Sequence, residues 1–269
     1  TVAETGDCGA TRNITHGTGA CFTLSGNVKE ALTGLNVGNV LVSVQTQAGV
    51  EVKNAATNIM GNFTIPFLMS NPDYKIIITK AGYKTGGILH YVFANDQTVQ
   101  LYLFPNNFLG LAAIVLRWTD ITDLDAHLRF SAGGTDYHLY HRSREVGGSS
   151  LDLDNTTQNG QETVTIKSAE AGVEYSYYVK SYLHQCFNAK TKVQLFDEFG
   201  MLISEFTGRL TDEVRWNVFK FIPSLGASSL VTEDNYETNS PESEKEGIEL
   251  HDEAVQLKKI FSSIIEKSK

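Results

Sequence analysis

Val40-Leu41-Val42-Ser43-Val44 sets three valines at alternate positions, the period of a strand with one buried face. Working outward, residues 73–80 form a β-branched run around Ile76-Ile77-Ile78, and residues 98–104 alternate again through Val99, Leu101 and Leu103. Gly and Asn turns separate these runs, and almost no helical period occurs from Phe22 to about Phe104. Six or so short strands at this spacing predict a β-sandwich over 22–104. Pro105-Asn106-Asn107 closes it, since a proline beside two turn formers cannot continue a central strand. A second β domain is expected over 111–225, with strands at 112–118, 124–130, 163–167, 174–183, 190–197, 201–207 and 214–222. The fold class is therefore all-β, two tandem β-sandwich domains of the immunoglobulin-like architecture.

Composition fits that reading. The chain has 269 residues, enough for two ordinary domains, and 41% hydrophobic, 10% aromatic and 20% charged residues describe a packed chain. A net charge of −9 without a Lys/Arg-rich stripe argues against a nucleic-acid partner. The longest apolar runs, such as 111–116, fall far short of the roughly 20 residues a membrane span needs.

The ends differ from the middle. Thr1 is not a methionine and no apolar leader precedes the first domain, as expected of a secreted chain whose signal peptide has been removed. Residues 1–21 read as an N-terminal extended arm in which Cys8 and Cys21 bracket a Gly/Thr-rich segment and are expected to pair; Cys186 is left over, a buried thiol or an intermolecular partner. Asn13, Asn62 and Asn155 open glycosylation triplets, which are permissive only. Residues 226–247 read as an acidic linker, and 248–269 as a C-terminal amphipathic helix whose stripe includes Leu250, Leu257, Phe261 and Ile264, a surface in need of a partner. Ten acidic and five basic residues in 232–269 carry −5 of the total charge.

The chemistry concentrates in Trp118-Thr119-Asp120-Ile121-Thr122-Asp123-Leu124-Asp125-Ala126-His127-Leu128, in Leu151-Asp152-Leu153-Asp154-Asn155, and in Glu162. In an extended strand Asp123, Asp125 and His127 share a face at about 6.6–7 Å spacing, and Asp152 and Asp154 repeat the arrangement. Two carboxylate ladders in one sheet repel each other unless water or a cation lies between them. Asp123, Asp125, Asp152, Asp154, Asn155 and Glu162 thus form a candidate oxygen site, with Ca²⁺ the cation of choice. The spacing is not that of an EF-hand. Solvated turn and edge aspartates are the competing reading. Zinc is less suited, because His138 and His141 lie beyond the Gly133-Gly134 turn and read as surface residues.

Two resemblances stand beside these patterns. Ser25-Gly26-Asn27-Val28, Val40 to Val44, Gly61-Asn62-Phe63-Thr64-Ile65, Tyr74-Lys75-Ile76 and Ala81-Gly82-Tyr83 resemble the carboxypeptidase-regulatory-like, or prealbumin-like, β-sandwich family over about eighty residues. That likeness implies a structural or adhesive spacer in a secreted protein. Trp118, Asp123 to Leu128, Gly147-Gly148, Leu151 to Asn155, Glu162 and the Tyr-rich strand from Tyr175 to Tyr182 resemble the YfaP-like family of secreted bacterial β domains over about 110 residues. Gln161 and Ala126 depart from its pattern, and the family implies no settled activity.

Function follows by weighing. Paired carboxylates suit a glycosidase, but Trp118 and Trp216 both sit in strand patterns and leave no aromatic platform for a sugar. No G-x-S-x-G, H-E-x-x-H or P-loop occurs. The expectation is a non-catalytic, secreted or cell-surface structural protein, a head-to-tail homopolymer assembled through its terminal segments and stabilised by calcium. The alternative is a monomeric adhesion module that binds glycan or protein through an exposed Tyr178/Tyr182 pair.

Overall fold

The computed structural model describes residues 21–69, 73–92, 95–121, 123–182, 187–211, 213–223 and 229–237. No α-helix occurs among the described residues. The first part contributes β1 (Cys21–Glu30), β2 (Leu41–Thr46), β3 (Glu51–Ala56), β4 (Asn62–Met69), β5 (Asp73–Thr79), β6 (Gly86–Val92) and β7 (Gln97–Leu103). The second contributes β8 (Ala112–Arg117), β9 (Leu124–Ala132), β10 (Thr135–Leu139), β11 (Glu145–Val146), β12 (Ser149–Leu153), β13 (Gln161–Ile166), β14 (Tyr175–Ser181), β15 (Lys192–Asp197), β16 (Met201–Thr207), β17 (Arg215–Phe221) and β18 (Val231–Glu237).

Alternation along β2 and β5 buries Val42, Val44, Ile76 and Ile78 against Leu24 and Val28 of β1 and Leu101 and Leu103 of β7, giving an aliphatic core between the sheet β4-β1-β7 and part of a longer sheet. A second core is aromatic. Trp118, Tyr175, Tyr177, Phe187, Trp216, Phe219 and Phe221 pack with Ile114, Leu128 and Val164 between the sheet β10-β9-β14-β17-β18 and the remainder of the longer one.

That longer sheet runs through both parts in the order β11-β12-β13-β8-β15-β16-β6-β5-β2-β3. Its junction is the parallel pairing of Met201 with Gly87 and Leu202 with Ile88. Gly87 permits this because a Cβ there would stand 1.9 Å from the Ile76 carbonyl oxygen, at φ +143°. A third apolar cluster, including Ala31, Tyr102, Phe104, Val115 and Phe196, fills the seam beneath the junction. Gln161 Nε2 and Thr163 Oγ1 both donate across the seam to the Ala31 carbonyl, at 2.9 and 2.5 Å. Residues 112–116 are apolar without a break because both faces of β8 are covered, one by the aromatic core and one by the seam.

One boundary differs from the expected layout. Residues 231–237, read as part of an acidic linker, form β18 along β17. Trp216 and Tyr236 stack with centroids 5.6 Å apart, and Trp216 Nε1 donates to Asp234 at 2.9 Å. The strand's acidic side chains bond groups on β17, Glu233 meeting Lys220 and Glu237 accepting from Asn217 Nδ2 at 2.7 Å, so a polar composition masked its pairing. The arm over 1–20 with Cys8 and Asn13, the expected Cys8–Cys21 bridge, Cys186, and the helix over 248–269 with Leu250, Leu257, Phe261 and Ile264 lie outside the described residues.

Candidate metal centre

Strand phase builds the site. Along β9, Leu124, Ala126, Leu128 and Phe130 enter the aromatic core, which turns Asp125, His127 and Arg129 to the other face. On β13, Glu162 shares the core-facing phase of Val164 and Ile166 and is fully buried. Its carboxylate accepts the Ala126 N–H at 2.7 Å and the Asn155 N–H at 3.4 Å. Oxygens of Asp125, Asp154 and Glu162 come within 4.8 Å of one another. Two oxygens bound to one Ca²⁺ at about 2.3–2.6 Å lie at most about 5 Å apart, so the set matches such an ion without rearrangement.

The electrostatics are those of an incompletely compensated acidic pocket. Burial, then the charges of Asp125 and Asp154, push the Asp123 carboxyl up to about 6. Burial likewise holds Glu162 well above the usual carboxylate range. One oxygen each of Asp123 and Asp154 is buried with no hydrogen-bond donor. His141 compensates in part: its Nδ1 lies 3.2 Å from Asp125 Oδ1, and that carboxylate raises its pKa.

Three of the six expected ligands therefore meet, Asp125, Asp154 and Glu162, and Asp123 stands close enough to feel the charges of Asp125 and Asp154. Asp152 stands apart, accepting from Ser150 Oγ at 2.7 Å and from Thr165 Oγ1. A register shift between Leu151 and Leu153 interrupts the alternation that would have aligned it with Asp154. Asn155 contributes its backbone N–H, while its Oδ1 accepts from the N–H and hydroxyl of Thr157 at 2.9 and 2.6 Å and closes its own turn. The glycosylation candidate Asn62 sits on β4, its Oδ1 accepting from Asn27 Nδ2 at 2.8 Å.

The histidines are not the surface residues the sequence suggested. Gly133 and Gly134, both at positive φ, make a two-residue hairpin turn that pairs Leu139 with Leu128 and His138 with Arg129. His127 is buried, its ring stacked on Tyr178 at 4.6 Å and on His138 at 5.1 Å, with the two imidazoles joined by a 2.8 Å hydrogen bond. Burial lowers His127 well below its ordinary value and His138 to about 3. The signal was present in the Gly-Gly turn, whose length fixes the hairpin register and carries His141 back toward Asp125. The same packing corrects the exposed tyrosine pair: Tyr178 is 1% exposed beneath the Arg215 guanidinium, 3.9 Å from its ring, whereas Tyr182 is 41% exposed.

No protein-family model and no curated protein matches the chain. Among solved structures, the major pilin subunit BcpA of Bacillus cereus is 10% identical, with 71% of this chain and 69% of that chain covered and a TM-score of 0.30. A DUF3823 family protein from Bacteroides ovatus is 14% identical over 71% of this chain and 96% of its own, with a TM-score of 0.26. Another from Parabacteroides merdae is 10% identical over 71% and 98%, also at 0.26. Overlaps this loose bear on neither assembly nor activity, and the two family resemblances rest on the residues quoted for them.

Proposed function

We propose that this chain is a non-catalytic, extracellular structural protein, the subunit of a surface filament built head to tail through its terminal segments, with Ca²⁺ bound by Asp123, Asp125, Asp154 and Glu162. The observation that carries the structural reading is the unbroken ten-stranded sheet sealed by an apolar seam. Such a junction leaves no hinge between the cores, and stiffness is what a load-bearing repeat requires. The carboxylate pocket supports the cation, because buried acids with unfilled oxygens gain from a divalent charge that replaces protons. Secretion and the terminal contacts follow from the sequence reading, as does the absence of catalysis.

Size-exclusion chromatography and negative-stain imaging of the full chain, with calcium and with chelator, test it. Fibres or concentration-dependent high-mass species are the expected result. A monodisperse monomer at all concentrations in both conditions overturns the filament, and a melting temperature indifferent to calcium overturns the cation site.

A further inference from the structure

The outer face of the sheet β4-β1-β7 carries polar side chains in register. Thr64, Ser25 and Thr98 form a row of hydroxyls across the three strands, and Asn62, Asn27 and Gln100 form a row of amides beside it. The opposite face of β1 supplies Leu24 and Val28 to the aliphatic core. Continuing along β1 and β7, the next pair is Lys29 and Tyr102, at the seam. Arg117, the last residue of β8, reaches over from the other side and completes a groove of about 410 Å³, within the range of small-ligand clefts.

Charge in this groove is one-sided. None of the ten residues that line it is acidic. Arg117 Nε is buried and has no hydrogen-bond partner among the described residues. Lys29 stands close enough that burial and the Arg117 charge lower its pKa. A buried guanidinium N–H without an acceptor is costly, and the planar fork of a half-buried arginine matches a carboxylate through two parallel bonds. Beyond the cation come hydroxyls and amides that bond one another, Ser25 Oγ with Thr98 Oγ1 at 3.2 Å and Asn27 Nδ2 to Asn62 Oδ1 at 2.8 Å, and each of these side chains carries both a donor and an acceptor.

We propose that this groove is a binding site for a polyhydroxylated carboxylate of the uronic-acid class. The carboxylate docks on Arg117 with Lys29 behind it, and the sugar hydroxyls engage the amide and hydroxyl rows. A peptide carboxylate is a poorer match, because the groove offers a sheet face and a peptide main chain pairs with sheet edges. The site lies apart from the acidic pocket, and the proposal stands independently of the filament.

Isothermal titration of the full chain with trigalacturonate, in chelator to exclude any cation bridge, tests it. The expected result is saturable one-to-one binding that salt weakens, at least tenfold weaker in Arg117→Gln and in Lys29→Gln, partly kept in Arg117→Lys, and undetectable for the neutral trisaccharide maltotriose. Circular dichroism and the melting temperature establish that each variant is folded; where Arg117→Gln is not, Lys29→Gln carries the test. Absence of binding to the wild-type chain overturns the proposal. So does undiminished binding in a folded Arg117→Gln or Lys29→Gln chain, or a triglutamate peptide that binds as tightly as the trisaccharide.

Discussion

The two cores of this molecule are built from different materials. The first is almost wholly aliphatic, with Ser43 and Thr57 its buried polar side chains. The second is aromatic, and among the described residues thirteen of the fifteen buried polar or charged side chains belong to its strands and loops, Asp125, His127, Glu162 and Lys180 among them. Burying ionisable groups costs stability that close aromatic packing offsets. The first core therefore acts as scaffold, and sensitivity to pH and, on the proposed function, to cations is expected of the second. Both tryptophans lie in the second core, so their fluorescence reports on that half by itself.

The largest effect should come from testing whether the halves are energetically separate. Ile76→Ala in the aliphatic core should cost about 2–5 kcal/mol and Phe219→Ala in the aromatic core about 3–5 kcal/mol. Because the sheet and the seam are continuous, Ile76→Ala should move the tryptophan transition in urea as far as it moves the tyrosine signal. An unmoved tryptophan transition would show that the seam does not couple the cores, and the stiffness argument would fail with it.

The carboxylate pocket supplies the next effect. Glu162→Gln removes a carboxyl that burial disfavours in its charged form yet keeps an oxygen for the Ala126 N–H, so in chelator at pH 7.5 the variant should be at least as stable as the wild type. Calcium at a hundredfold excess over its dissociation constant should stabilise the wild-type chain by about 2.7 kcal/mol, roughly 5–10 °C in melting temperature, and should do little for the variant. A variant that melts well below the wild type in chelator would mean that the Glu162 charge itself holds the fold.

Proton linkage sharpens the same contrast. Asp123 at about 6 and Glu162 above the ordinary range keep protons in the folded chain that the unfolded chain has released. Their contribution is fully present below the unfolded carboxylate range and is lost as pH rises through 6 and beyond. His141, raised by Asp125, loses stability in the same direction. His127 and His138 act oppositely: burial lowers both, so their contribution is present above about 6.5 and is lost as pH falls toward 3. The two sets oppose each other, so the pocket is read by difference: in chelator, the tryptophan-monitored stability of Asp123→Asn should rise more steeply between about pH 4 and 6 than that of the wild type. Equal slopes in the two chains would contradict the assignment of the pocket.

Most of the strands were legible because their alternation is local. The runs at 40–44, 73–80 and 98–104 and all seven expected in the second half meet strands of the structure. What escaped depends on pairing. Asp152 was grouped with the ligands because a regular strand would place it there, and the register shift beside Leu151 exists only once β12 meets β13. The histidine stack needed the register of the Gly133-Gly134 hairpin to be carried five residues on, from Thr135 to Leu139. β18 was hidden because Val-Thr-Glu-Asp-Asn-Tyr-Glu has the composition of a linker, and an edge strand needs few buried side chains.

That edge strand gives the smallest predicted effect. Lys220 Nζ lies 2.9 Å from Glu233 Oε1, with side chains 37% and 23% exposed, and the carboxylate raises the lysine pKa. Water and salt screen such a pair, so Lys220→Met should cost about 0.2–1 kcal/mol in a urea titration, shrinking in 1 M salt. The Trp216–Tyr236 stack, with Arg209 4.3 Å above the Tyr236 ring, should hold the strand in place without the lysine. A loss above about 2 kcal/mol would place the strand's hold in its surface charge, and the aromatic core would then end at β17.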